Sequence, residues 1–287
     1  MIYLLLALLF STLIMVNFKL YPRLKIDILQ SIVTNYIVAF LAGWVSLKFL
    51  SPELLVTKDW FPLSIASGTM LILVFFVFAS SAAKVGIAIT SVSSKMSVLI
   101  PVILGFLVFN EEPGLIKILG IIMSIPAFYF IFKRNENFNL KGILLLLPIL
   151  LFLGNGSNDS LMKTAEHFFL GNDNDMIQYL TSDFGISFII GLCILIVVSI
   201  RKKKKIQIKN IGAGIVLGML NWFSTLFFLN GLGRVDVSVF VPVFNVGIVS
   251  LGALVGLIFF REKLGKWNIF GLGLAVVSIL LIALGYD

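Results

Sequence analysis

The chain has 287 residues, 59% of them hydrophobic and only 13% charged, with a net charge of +8. Soluble domains carry about 45–50% apolar and about 25% charged residues, so this composition excludes a water-soluble globule: too few polar residues are left to coat the apolar runs. The basic residues gather at the ends of those runs, which is the pattern of membrane topology signals and anionic-lipid contact and not of nucleic-acid binding.

Residues 1–17 are apolar, with neither a basic leading region nor a small-residue cleavage site, so they predict a first helix and not a signal peptide. A basic loop follows, with Lys19, Arg23 and Lys25 around Pro22. The second helix is predicted over 29–49, where Asn35 and Tyr36 form the polar spot, and the third over 61–82. The stretch 84–112 is long enough to cross a membrane as a fourth helix, yet it carries Lys95 in its middle. Pro113 and Gly114 signal a turn, and a fifth helix runs to Phe132 with Pro126 as a kink. The polar linker 133–141 marks a boundary, dividing the chain into 1–136 and 137–287. A sixth helix over 140–162 holds the cluster G-N-G-S-N-D-S at 154–160, and an acidic loop, A-E-H-F-F-L-G-N-D-N-D, follows it. The seventh helix, over 176–199, stops at five basic residues, 201–205. The eighth covers 209–230 with Asn221 and Trp222 near its centre, the ninth begins after Arg234, and the tenth spans 266–285.

The ninth segment echoes the fourth. R-V-D-V-S-V-F-V-P-V-F-N lies on K-V-G-I-A-I-T-S-V-S-S-K without a gap, placing Asn245 where Lys95 stands, and F-N-E-E at 109–112 echoes F-R-E-K at 260–263. Two units of five spans each must enter the bilayer in opposite senses, because five is odd. The predicted fold is therefore all-α: a polytopic membrane protein of ten transmembrane helices in two inverted five-helix repeats, with its substrate site near the midplane between them.

Lys95 is about 16 Å along the helix from Lys84, the middle of a hydrocarbon core about 30 Å thick. A charge there is costly, and a lysine stem that reaches about 6 Å cannot bring it to water, so Lys95 is the leading site candidate. Thr90, Ser91, Ser94 and Lys95 fall on one side of the helix, a polar stripe that a lipid-facing helix would not carry. Asn155, Asn158 and Asp159 share a face by their i, i+3, i+4 spacing. Asn155 is well inside the core and lines a cavity in this reading, whereas Asp159 is nearer the far end and could pair with Lys163 one turn on. Asn35, Tyr36, Asn221, Trp222 and Asn245 complete the candidate substrate-binding set, although intramembrane amides also bond neighbouring helices. G-x-x-x-G at 214–218 and 252–256 reads as close helix packing, and Glu111, Glu112 and Glu262 as solvated loop charges.

Five-plus-five spans, a glutamate after the fourth span of each half (Glu111 and Glu262), and the glycine-containing helices I-L-G-I-I-M-S-I-P and I-F-G-L-G-L-A-V that follow resemble the drug/metabolite transporter superfamily, in particular its EamA-type branch. The sequence departs from the usual pattern in having Asn110 and Arg261 before the glutamates. The resemblance implies a secondary transporter of small metabolites.

The expected function is export of a small polar metabolite, such as an amino acid or another carboxylate, by alternating access. The alternatives are a lipid-carrier, sugar-phosphate or nucleotide-sugar translocator, and further off an integral-membrane lipid enzyme. An enzyme of that kind needs clustered acid/base or metal groups, whereas the chain has one histidine, His167, one cysteine, Cys193, and carboxylates scattered among loops. No cofactor or metal is expected, and no phosphate-binding loop for ATP is present. An obligatory proton carrier would ordinarily be an intramembrane carboxylate, a role that Asp159 alone is read as approaching, and the coupling stays open. The expected partners are a small-molecule substrate and membrane lipids, with no nucleic acid; a homodimer is compatible with the sequence. The expected location is the inner or plasma membrane. Most basic residues lie after odd-numbered spans, which predicts those loops in the cytoplasm and both termini outside, opposite to the usual orientation of the relatives.

Overall fold

The computed structural model describes residues 2–49, 55–108, 114–132, 143–171, 173–203, 205–232 and 237–284. The linker 133–141, Asn110, Glu111, Glu112 and Arg234, all singled out in the sequence, lie outside them. Among the described residues the structure is helical, without strands. Its principal helices are α1 (Ile2–Leu24), α2 (Ile28–Ser46), α3 (Phe61–Lys84), α4 (Ile87–Met96), α5 (Leu99–Val108), α6 (Leu115–Phe132), α7 (Ile143–Phe169), α8 (Asp173–Lys202), α9 (Ile208–Leu232), α10 (Val237–Ile258) and α11 (Lys266–Leu284). Among the described residues seven segments are long and apolar enough to cross a membrane, and three shorter apolar stretches lie in α6, α10 and α11. This is a multi-pass membrane architecture.

Three expectations change. First, α1 does not stop before the basic loop. It runs through Pro22, whose fixed φ suits a helix and whose missing N–H costs a single bond. It ends where Lys25 turns to a positive φ of 53° and the N–H of Ile26 returns to Tyr21 O at 3.0 Å. Second, α7 and α8 absorb most of the predicted acidic loop. Third, the predicted fourth helix is broken in two. Pro101 has no N–H to send to Ser97 O, and its ring crowds that carbonyl. Instead Ile100 N–H donates to Ser97 O at 3.0 Å, while the Ser97 hydroxyl donates back to Ser94 O at 2.6 Å. The ladder ends at Met96 and restarts at Leu99.

The helices settle into two packed groups. Ile14 and Phe18 of α1, Ile32 of α2, Ile72 of α3 and Leu217 of α9 belong to one apolar core. Val92, Leu99, Ile131, Val249 and Leu272 belong to a second, built from α4, α5, α6, α10 and α11. A smaller cluster joins them, in which Leu4, Leu8 and Met15 of α1 meet Ile87 of α4 and Phe244 of α10. By packing, α1 lies on α9 and α7 on α3; α2 lies on α9 and α8 on α3; α2 meets α8, α4 meets α10, and α6 meets α11. Both G-x-x-x-G stretches sit at such contacts. Gly214 and Gly218 face Thr34 and Val38 of α2, and Gly252 and Gly256 face Ser91 and the Glu262 carboxylate against α4.

Candidate functional site

Lys95 occupies the last turn of α4, just before the break, where α4, α7 and α10 converge. The C-terminal end of the α4 dipole favours a cation, while the carbonyls of its last turn are partly taken, Ser94 O by the Ser97 hydroxyl and Lys95 O by the N–H of Val98. The Lys95 ammonium lies over the ring of Phe244 on α10, 4.8 Å from its centroid. The Asp159 carboxylate on α7 acts on it electrostatically and also shares a hydrogen bond with Ser97. Among the described residues no carboxylate is within 4 Å of Lys95, so this opposite charge is near but unpaired. One turn away Asn155 Nδ2 donates to Ser94 Oγ at 2.9 Å, tying α7 to α4. Gly156 lets this happen, since a side chain there would meet Ile100 of α5. The break, the lysine, the carboxylate and the amide–hydroxyl pair form one polar locus inside apolar walls.

The expected polar stripe divides. Ser94 and Lys95 join the locus, but Thr90 bonds Ser81 Oγ at 2.7 Å, and Ser91 donates to Ala88 O at 2.8 Å where it packs on Gly252. Both are fully buried helix-packing residues. Asn245 follows Phe244 on α10 and is half-buried. The remaining candidates gather elsewhere. Asn221 Nδ2 of α9 donates to Asn35 Oδ1 of α2 at 3.2 Å, and Asn35 keeps its own buried Nδ2 without a partner. Tyr36 is core: fully buried, bonded to Leu71 O at 3.1 Å, with its ring against Phe75 and Phe184. Trp222 packs at the edge of the same core.

Residues 180–284 match the EamA-like transporter family. The match begins inside α8 and includes Asn221, Asn245 and Glu262. A relative in Haemophilus influenzae, described as an uncharacterized protein, is 27% identical over 285 residues, covering 95% of this chain and 94% of that protein. A crystal structure aligns with a TM-score of 0.59 over 96% of this chain and 95% of that one, at 10% identity, which shows a shared fold.

Two groups inside the matched region were not recognised for what they are. Glu262 is no solvated loop charge. Its Oε1 accepts the N–H of Ile87 at 2.8 Å and its Oε2 that of Ala88 at 3.3 Å, so it caps the N-terminus of α4. Its Oε1 also holds Lys19 of α1 at 3.0 Å, and its side chain is 10% exposed. The second is Asp183 on α8. It is 5% exposed and accepts a hydrogen bond from Ser67 of α3 at 2.8 Å. Asp159 is therefore not the sole carboxylate within a span. Asp183 falls within the predicted seventh helix, 176–199; α8 begins at Asp173 and carries it about 15 Å further along.

Proposed function

We propose that the whole chain is a secondary transporter of the EamA type, exporting a small zwitterionic or anionic metabolite of the amino-acid class across the cell membrane. Lys95 carries this reading. An ammonium enclosed by Phe244 and the break of a membrane helix, with no carboxylate in contact among the described residues, is poised for an anionic group brought by a substrate. Asp159 lies near enough to act on Lys95 without pairing with it. An α-amino acid offers opposite charges in complementary places: its carboxylate faces Lys95 and its ammonium faces Asp159. The Asn155–Ser94 pair supplies neutral donors and acceptors alongside.

The helix pairings support two inverted repeats of five spans, with α4 and α5 together as the fourth. Exchanging α1 with α7, α2 with α8, α3 with α9, α4 and α5 with α10, and α6 with α11 turns the α1–α9 contact into α7–α3 and the α2–α9 contact into α8–α3. It also leaves α2–α8, α4–α10 and α6–α11 unchanged. In this reading Lys95 and Asn245, counterparts in the sequence repeat, stand in the two halves, and alternating access follows from rocking one half on the other.

Purified protein in liposomes, preloaded with unlabelled amino acids and given trace radiolabelled ones, tests the proposal by counterflow. Accumulation of label that is lost in Lys95→Met is the expected result. Absence of counterflow for every amino acid and carboxylate tried would overturn the substrate class.

A further inference from the structure

We propose that Asp183, together with Ser64, Ser67 and Tyr179, forms an intramembrane binding site for a monovalent cation, either a proton or Na+. The site lies between α3 and α8. Gly68 allows the close approach, since a Cβ there would stand 2.9 Å from the Asp183 carbonyl, and Ser187 Oγ donates to Gly68 O at 2.7 Å beside it.

The carboxylate has no basic neighbour. Among the described residues no lysine, arginine or histidine is within ion-pair distance of it. The titratable groups facing it are Tyr179 from its own helix and Tyr36 from α2, while α3 contributes only the hydroxyls of Ser64 and Ser67. An ionised carboxylate buried in this way needs a compensating charge, and among the described residues no basic side chain supplies one.

The hydroxyls are arranged to receive one. Ser67 Oγ donates to Asp183 Oδ1 at 2.8 Å, and having given up its one hydrogen it must accept from Tyr179, whose OH is 2.8 Å away. Ser64 also faces the carboxylate. Its Oγ is fully buried and makes no hydrogen bond of ordinary geometry, which leaves its lone pairs open. Carboxylate and hydroxyl oxygens are hard ligands, suited to Na+ as to a proton and unsuited to soft metals. A pocket lies near the site at the same end of the bundle. Tyr179 packs edge-on against Trp60 at 5.5 Å, and Trp60 borders a pocket of about 270 Å³ together with Lys58, Asp59 and Asp175.

The site can be read on purified protein in lipid nanodiscs, whether or not the substrate is known. Thermal unfolding is measured in NaCl against choline chloride at equal ionic strength, and infrared difference spectra follow the protonated-carboxyl stretch across pH. Asp183→Asn is the comparison, because its amide oxygen still accepts from Ser67 while the charge is gone. We expect the wild type to show either a Na+-specific rise in melting temperature, which identifies Na+, or a titrating carboxyl band without it, which identifies the proton. Asp183→Asn should abolish whichever is seen. Ser64→Ala, which keeps the carboxylate, should weaken Na+ affinity about tenfold or displace the titration midpoint. Wild-type protein with neither signal overturns the proposal, as does a signal that survives unchanged in both variants.

Discussion

The carboxylate of Glu262 stands over the first turn of α4 and accepts the N–H of Ile87 at 2.8 Å. The same oxygen holds Lys19 at 3.0 Å, so one side chain from the turn after α10 ties together the end of α1 and the start of α4. Glu262→Ala should lower stability by about 3 kcal/mol, because it removes a helix cap and leaves Lys19 unpaired at 19% exposure. Glu262→Gln, which keeps an acceptor for Ile87, should lose roughly half as much. Lys19→Met should be milder than Glu262→Ala, as the cap survives. Denaturation midpoints in detergent or nanodiscs rank the three, and equal losses for Lys19→Met and Glu262→Ala would show that the cap contributes nothing.

Two glycines make room for that carboxylate. A Cβ on Gly86 would lie 2.8 Å from Glu262 Oε2, and Gly86 has φ at 132°, a conformation that L side chains rarely adopt; a Cβ on Gly256 would lie 2.5 Å from the same oxygen. Gly86→Ala should therefore destabilise by about 2 kcal/mol or more. Gly273→Ala in α11 meets nothing within 4 Å and should be neutral or stabilise by about 0.5–1 kcal/mol through helix propensity. A thermal-shift comparison of the two variants is sufficient, and similar behaviour would refute the steric account.

Lys95→Met should leave the fold intact, since a similar volume is kept and a buried charge is removed. Substrate affinity should fall by roughly 30-fold to several-thousand-fold, the range for losing a desolvated charge-assisted bond of about 2–5 kcal/mol. Lys95→Arg should be intermediate at best, because a planar guanidinium is wider than an ammonium. Asp159→Asn should discriminate by substrate: amino acids suffer, while carboxylates without an amino group are spared. Isothermal titration on folded, purified variants decides this, and unchanged affinity in Lys95→Met removes the role proposed for it.

How much of this was legible beforehand depended on whether a residue's role is local. Lys95, Ser94 and Asn155 stood out as polar groups deep in apolar runs, and the structure brings them together. Ser91 shared the same stripe, but its role is set by Gly252 on another helix, which spacing within one segment does not reveal. Glu262 read as a loop charge because its partners, Ile87 and Lys19, are distant in sequence. The break after Met96 was hidden by continuous hydropathy; Pro101, four residues beyond Ser97, was the signal for it.

Orientation is a separate expectation, drawn from the excess of basic residues after odd-numbered spans. On that count a phosphatase fused to the C-terminus should be active outside the cytoplasm, and a fluorescent protein fused there should stay dark. A bright, phosphatase-negative pair of fusions would instead place both termini inside, as in the family the sequence resembles.

The break in the fourth span gives α4 the mechanics of a short lever. Ten residues make a rod about 15 Å long, pinned at its start by the Glu262 cap and free of helical continuity at its end, where Lys95 sits. A tilt of about 10° about the pinned end would carry the ammonium about 2.5 Å, away from the ring of Phe244 or towards the carboxylate of Asp159, while α5 stays lodged against Gly156. Damage at the fulcrum and damage at the tip should then be separable: the first changes how often the rod swings, the second what it holds when it does.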